Sequence, residues 1–378
     1  MNVVRAIGRW IVLVVAMLVF VVEVLGTLPA PTLPLLAFAV AVPEVASRAL
    51  VIAIVLLVVV ALALRGRMRL VGTTCAAIAC ILALVPLVQY PQASARAQAE
   101  IAPFEGGQSA AITVTARDTD IRVERDLPVR TRDGAKLALD IYHSKIAGPR
   151  PTVITIYGGA WLFGKRADNA TIDRALAARG YTAISVDYRH APKYRYPTEP
   201  NDVEDAIATI AKHARAWDVD PDRVALFGRS AGAELALLAA YAPEPVHVRA
   251  AVAYYAPTDL VDGYRITPNP DPAGVRRILL AYLGASPDAA MAAYRAGSPV
   301  THVRAGLPPT YLIIGLRDAL VRPEQQRELR DALRAHGDAV AAIEVPWSNH
   351  AFDTIPSGLG GTLATQTTAR FLRATLER

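Results

Sequence analysis

Two hydropathy regimes divide the chain. Over the first ninety residues, three long apolar runs, assigned to residues 10–27, 46–64 and 69–89, carry almost no charge in their interiors, Glu23 being the exception in the first. A bilayer core asks for about 20 apolar residues, with about 17–25 tolerated, so each run predicts a membrane-spanning helix. Residues 28–43 are also apolar but contain Pro29, Pro31, Pro34 and Pro43, which predicts a loop or re-entrant segment. Arg5 and Arg9 ahead of an apolar core would suit a signal peptide, but such a peptide needs only one run. Three in succession predict an all-α transmembrane region over 1–90, with four spans as the alternative, which would place the Arg65–Arg69 cluster outside. Arg5 and Arg9, with Arg65, Arg67 and Arg69 between the second and third runs, belong on the cytoplasmic side, which places the rest of the chain extracytoplasmically. Glu23 has no intramembrane partner in the sequence and reads as an interface residue.

Beyond the third run the pattern changes. Residues 91–118 mix Ala, Gln, Gly and Ser and read as a linker. From 119 onward, short β-branched runs alternate with helical stretches. The strand-like runs are 121–123, 137–142, 153–157, 182–186, 223–227, 250–254, 310–314 and 341–345. Helical periodicity lies near 169–179, 201–216, 231–241, 323–335 and 360–376. Such alternation predicts an α/β domain over 119–378, with an eight-stranded, mostly parallel sheet flanked by helices. The segment 260–306 is too long for an ordinary crossover, holds two short helical patterns, and reads as a lid-like insertion.

Composition sharpens this picture at a few points. With 53% hydrophobic and 20% charged residues, the 378-residue chain is too apolar to be disordered. Its two cysteines, Cys75 and Cys80, both lie in the apolar region, which excludes a disulfide scaffold or a cysteine zinc site in the α/β part. The net charge of +6 comes without a Lys/Arg run, so no nucleic-acid partner is expected.

The chemistry concentrates in four places. Gly228-Arg229-Ser230-Ala231-Gly232 lies between a strand-like run and a helical one, the strand–turn–helix setting that G-x-S-x-G requires. The tight turn needs glycines where a Cβ would clash, and the helix that follows points its positive end at the serine. Gly158 and Gly159 follow the 153–157 run, so the amides of Gly158, Gly159 and Ala231 are the candidate oxyanion donors. Asp318 follows the 310–314 run, and His350 follows the last strand. Serine needs a base to take its proton, histidine does so near neutral pH, and a carboxylate orients the imidazole. The order Ser230, Asp318, His350 therefore reads as a hydrolase triad. Asp338 and Asp353 are the competing acids. The first precedes the last strand, and the second is three residues from His350. Trp161 and the 260–306 insertion are candidates for the pocket wall.

The chain from about 119 to 378 resembles the α/β-hydrolase superfamily, and within it the hormone-sensitive-lipase-like esterases. The resemblance rests on Tyr157–Trp161 with Phe163-Gly164, on Asp187-Tyr188-Arg189 with Ala191-Pro192 and Pro197, on Asp220–Gly232, on Tyr255–Asp259, and on Asp318 with His350. It implies hydrolysis of carboxylic esters through an acyl-enzyme, with no metal or cofactor, and a brace role for Asp187-Tyr188-Arg189. The family's oxyanion loop starts with His and has a third Gly. Tyr157 and Ala160 stand in those places here. The Gly-Gly-Ala-Trp loop is also similar to that of membrane-anchored methylesterases acting on prenylated cysteine.

The sequence thus predicts a membrane-anchored, multi-pass serine esterase acting on a small-molecule or lipid ester close to the bilayer. The alternatives are a serine peptidase or acyltransferase on the same fold, or an inactive membrane-tethered binding module.

Overall fold

The computed structural model describes residues 2–106, 121–242 and 247–377. Four helices come first: α1 (Asn2–Thr27), α2 (Leu33–Glu44), α3 (Ala46–Ala63) and α4 (Gly66–Glu105). Three of the four are long and apolar enough to cross a membrane: Val3–Thr27, Ala46–Ala63 and Gly66–Glu105. Small residues let these helices approach one another; Ala16, Ala53, Ala76 and Ala79 are fully buried between them. The outward faces remain apolar, with Leu18, Ile52, Val55, Ile81 and Val88 exposed.

Two expectations for this region are corrected. The proline-rich stretch is not a loop over most of its length but the helix α2. Pro34 occupies the first turn, where the missing N–H has no intrahelical partner to lose. Residues 91–105 are not a linker either. They extend α4, because Ala93, Ala97 and Ile101, spaced four apart, bury one stripe against the α/β domain. The rest of the expected linker, 107–118, lies outside the described residues.

Among the described residues the α/β domain holds eight strands: β1 (Arg122–Arg130), β2 (Lys136–His143), β3 (Arg150–Ile156), β4 (Thr182–Val186), β5 (Val219–Arg229), β6 (Val248–Tyr254), β7 (Thr310–Gly315) and β8 (Val340–Val345). Their order is β1-β2-β4-β3-β5-β6-β7-β8. β2 runs antiparallel to both neighbours, and β3 to β8 are parallel. The parallel strands are buried on both faces, which is why they read as short continuous apolar runs. β1 is longer than its 121–123 signal, since this edge strand is rich in exposed charge and bulges between Glu124 and Leu127.

The helices are α5 (Ala170–Ala178), α6 (Thr198–His213), α7 (Ala231–Tyr241), α8 (Leu260–Arg265), α9 (Val275–Leu283), α10 (Pro287–Ala296), α11 (Pro323–Ala335) and α12 (Leu359–Leu376). One core packs α6, α7 and α11 on the sheet. The other packs α5, α12 and the end of α4. Between β6 and β7 the chain forms α8, α9 and α10. This is the α/β-hydrolase fold, preceded by apolar helices.

Docking of the apolar helices on the domain is polar as well as apolar. Glu105 pairs with Arg370, and the Glu100 carboxylate accepts from the Ala342 amide at 3.0 Å and from Arg334 at 3.1 Å. Glu44, at the end of α2, accepts from the Ser348 hydroxyl and, at 2.6 Å, from the Gly360 amide. It fills a notch so tight that a Cβ on Gly360 would lie 2.8 Å from its Oε1 and 2.4 Å from Ser348 Oγ.

Candidate active site

Three parallel strands deliver the predicted trio to one edge of the sheet. Ser230 ends β5 and opens α7 with φ 53° and ψ −124°, a conformation a residue with a Cβ adopts only under constraint. The constraint is visible on both sides of it. A Cβ on Gly228 would lie 2.1 Å from the Gly232 carbonyl oxygen, and one on Gly232 would lie 2.2 Å from that of Tyr157. The turn therefore closes only with glycine at both places.

His350 Nε2 lies 2.9 Å from Ser230 Oγ, and its Nδ1 lies 2.8 Å from Asp318 Oδ2. Asp318 is fixed in turn, since its Oδ1 accepts from the amides of Leu320 and Val321, each at 2.8 Å. With Nδ1 against a carboxylate, the neutral ring carries its proton there and offers Nε2 to the serine. The competing acids go elsewhere. Asp338 accepts from the amides of Gly306 and Leu307, and Asp353 faces Arg229 and Tyr255.

The glycine loop after β3 reaches the same point. A Cβ on Gly158 would lie 3.2 Å from Ser230 Cβ, so its backbone borders the serine. Gly159 follows with φ +139°, and a Cβ there would collide with the Phe163 carbonyl at 1.9 Å. Ala231 begins α7 immediately after the serine.

In place of the usual loop histidine, Tyr157 is buried and stacked on Tyr188, with ring centroids 4.5 Å apart. The Tyr188 hydroxyl donates to the Tyr157 carbonyl at 3.1 Å, and the Tyr157 hydroxyl lies 3.0 Å from His190 Nε2. Asp187 and Arg189 flank this stack in ion pairs with Arg166 and with Asp202.

Trp161 lines a cavity of about 50 Å³ at Ser230, closed by Ala160, Pro257, Leu320 and, from the insertion, Leu260, Val275 and Leu279. Its Nε1 donates to Glu234 at 3.0 Å, and its ring stacks on Tyr282 at 4.3 Å. Tyr282 donates to the other Glu234 oxygen at 3.2 Å. Burial outweighs these two hydrogen bonds and holds the Glu234 carboxyl well above the ordinary carboxylate range. Phe163, by contrast, is exposed.

Sequence reasoning missed the supports. Arg229 bonds Asp353 at 3.2 Å and Asn169 Oδ1 at 2.6 Å, while Tyr255 packs its ring 4.5 Å from that of His350 and donates to Asp353. The residues before the serine and after the histidine are thus tied by one ion pair. Glu234 had a signal, as the one charge in an apolar helix. Arg229, between a glycine and the serine, had another.

The BD-FAE family model matches residues 139–333. Over 225 residues the chain is 32% identical to a Mycobacterium tuberculosis protein named "Probable carboxylic ester hydrolase LipM", covering 56% of this chain and 52% of that one. It is 33% identical over 249 residues to "Esterase LipC" of the same organism, covering 61% of this chain and 60% of that one. The chain therefore spans little more than half the length of these relatives. Among solved structures, an esterase of Pyrobaculum calidifontis superposes with a TM-score of 0.59 at 21% identity, covering 77% of this chain and 94% of that one, a likeness of fold.

Proposed function

The chain belongs to the BD-FAE family of α/β-hydrolases, and from that premise we propose that it is a membrane-anchored carboxylic ester hydrolase working through an acyl-enzyme. The observation that carries the reading is the unbroken line from Asp318 through His350 to Ser230, with contacts of 2.8 and 2.9 Å. The names of the relatives support the ester as substrate class.

In this mechanism His350 Nε2 takes the Ser230 proton as Oγ attacks the ester carbonyl. The amides of Gly158, Gly159 and Ala231 hold the oxyanion, each contributing about 3 kcal/mol to lowering the barrier. Collapse returns the proton from Nε2 to the leaving alcohol. Water, deprotonated by the same nitrogen, then releases the acid and restores the serine. Asp318 keeps the proton on Nδ1 and stabilises the imidazolium. Trp161 forms a wall of the acyl pocket, whose small volume of about 50 Å³ supports a preference for short acyl chains.

The three apolar helices support the anchor, and the arginines at 5, 9 and 65–69 support an extracytoplasmic domain. A peptidase or acyltransferase reading has no observation in its favour. A fluorophosphonate probe tests the proposal. It is expected to label the full chain at Ser230, with labelling blocked by prior incubation with a short-chain ester. Labelling elsewhere, or none in folded protein, would sink it.

A further inference from the structure

Two cavities meet where the apolar helices join the catalytic domain. Both are lined by Thr27, at the end of α1, and by Arg317, immediately before Asp318. One, of about 420 Å³, lies among the helices with Val42, Ala46, Leu82, Val85 and Trp347 in its walls. The other, of about 440 Å³, opens between the α1–α2 turn and residues 267–270 of the insertion and reaches Asp318, Arg322 and Asn349. Each is within the range of about 300–1,000 Å³ usual for small-molecule sites.

Arg317 is held but not neutralised. Its backbone amide donates to the Ser348 carbonyl at 3.1 Å, and its Nη1 lies 3.4 Å from the Gly26 carbonyl oxygen. Arg322 in the same cleft is paired with Asp262 at 2.9 Å, whereas Arg317 forms no ion pair among the described residues. Burial alone pulls its pKa down, with no carboxylate opposing. A half-buried guanidinium without a counter-charge is costly unless something supplies one.

The level of the seam says what does. α1 ends there and α3 begins there. α4 passes it at Leu82–Gln89, just before its stripe Ala93, Ala97 and Ile101 enters the catalytic domain. On the reading that these helices span a bilayer, on which this inference rests, the seam lies at head-group depth. Glu23 shares only the helix-side cavity with Arg317, and in the cleft Arg317 and Arg322 stand against the single carboxylate of Asp318, so the formal charge of the cleft's lining is positive.

We propose that the seam binds an anionic amphiphile, with Arg317 holding its acidic head group beside the Asp318 loop and the helix-lined cavity taking its chain. The site is distinct from the cavity at Ser230, from which the Asp318–Val321 turn separates it.

The test uses the full chain in maltoside detergent, titrated with phosphatidylglycerol, phosphatidylcholine or inorganic phosphate, and read by native mass spectrometry and thermal unfolding. Phosphatidylglycerol is expected to give a one-to-one adduct and raise Tm by about 3 °C or more, and phosphatidylcholine to do neither. Arg317→Gln should remove that selectivity and Arg317→Lys retain it. Thr27→Trp, which fills the joint between the cavities without touching the charge, should abolish the adduct even if Arg317→Gln fails to fold. Equal binding of both lipids, or selectivity surviving Arg317→Gln or Thr27→Trp, would overturn the site. So would a shift reproduced by phosphate alone, which would make the ligand a soluble anion. Flotation on phosphatidylcholine vesicles tests membrane insertion apart from lipid selectivity. A chain that floats but shows no selectivity fails the site alone, and one that does not float fails the membrane reading beneath it.

Discussion

Replacing Glu44 by alanine should slow ester hydrolysis although the residue lies on α2, 304 positions from its partner Ser348. Its carboxylate accepts from the Ser348 hydroxyl and the Gly360 amide, and both partners are buried. Hydrogen bonds to a charged group contribute about 1.5–3 kcal/mol each, and a buried donor left unpaired costs about 1–3 kcal/mol. Relief of the carboxylate's own burial offsets part of this, leaving a net loss of about 2–4 kcal/mol. The loss is local. The Ser348 carbonyl accepts from Arg317 N at 3.1 Å, and Asn349 Oδ1 accepts from the amides of Ala319 at 3.0 Å and His350 at 2.7 Å. Loosening Ser348 therefore loosens the acid and the base together, and displacement by about 1 Å is enough to cost ~100-fold in rate. The assay is steady-state hydrolysis of p-nitrophenyl acetate by the full chain in detergent, beside thermal unfolding. Glu44→Ala should lower kcat by roughly 100-fold with little change in KM, and Glu44→Gln, which keeps one acceptor, by about tenfold. Wild-type kcat and Tm in Glu44→Ala would exclude this coupling between α2 and the His350 loop. The same contacts, with those of Glu100 and Glu105, imply that a fragment starting at residue 119 is less active than the full chain.

Three further outcomes follow from the geometry. Asp353→Ala strands the Arg229 guanidinium beside the serine and should cost about 3–5 kcal/mol, read as a Tm drop of several degrees, whereas Asp353→Asn keeps hydrogen-bonding groups there and should lose less; equal Tm values for Asp353→Ala and wild type would exclude the role. The small cavity at Ser230 should make kcat/KM for p-nitrophenyl acetate at least about tenfold above that for the octanoate, and a rising profile with chain length would contradict the pocket assignment. Burial lifts the Glu199 and Asp173 carboxyls to about 8 from ordinary values of 4.5 and 3.8. A raised folded-state value means the protonated form favours folding, so their stabilisation is full below the ordinary values and is lost as pH rises through about 8. Thermal unfolding of Glu199→Gln between pH 5 and 9 should therefore show a flatter decline than wild type, and an identical slope would discount the group.

Much of the α/β domain was legible because its signals are local. β3 to β8 are short apolar runs bounded by turn residues, and the Gly228–Gly232 pentapeptide names its own strand, turn and helix. The residues of the trio could be paired by chain order alone. What stayed hidden depends on partners far away in sequence. Ala93, Ala97 and Ile101 look like scattered small residues among Gln, Ser and Arg until the sheet face they cover is known. Pro34 reads as a helix breaker unless it falls in a first turn. Glu44 reaches Ser348, Arg229 reaches Asp353, and Trp161 reaches Glu234 across 73 positions. No periodicity encodes such pairs. They are also the contacts that hold the loops of Ser230 and His350, so the sequence pointed to the candidate trio more readily than to its supports.

Whether Ser230 is the nucleophile of an ester hydrolase is decided by the hydrolysis rate of p-nitrophenyl acetate by the full chain and by Ser230→Ala, both shown to be folded by thermal unfolding. A loss of at least about 10³-fold in kcat/KM is expected, with only the residual rate that binding and the oxyanion amides can sustain. A Ser230→Ala chain that hydrolyses the ester at the wild-type rate would contradict it.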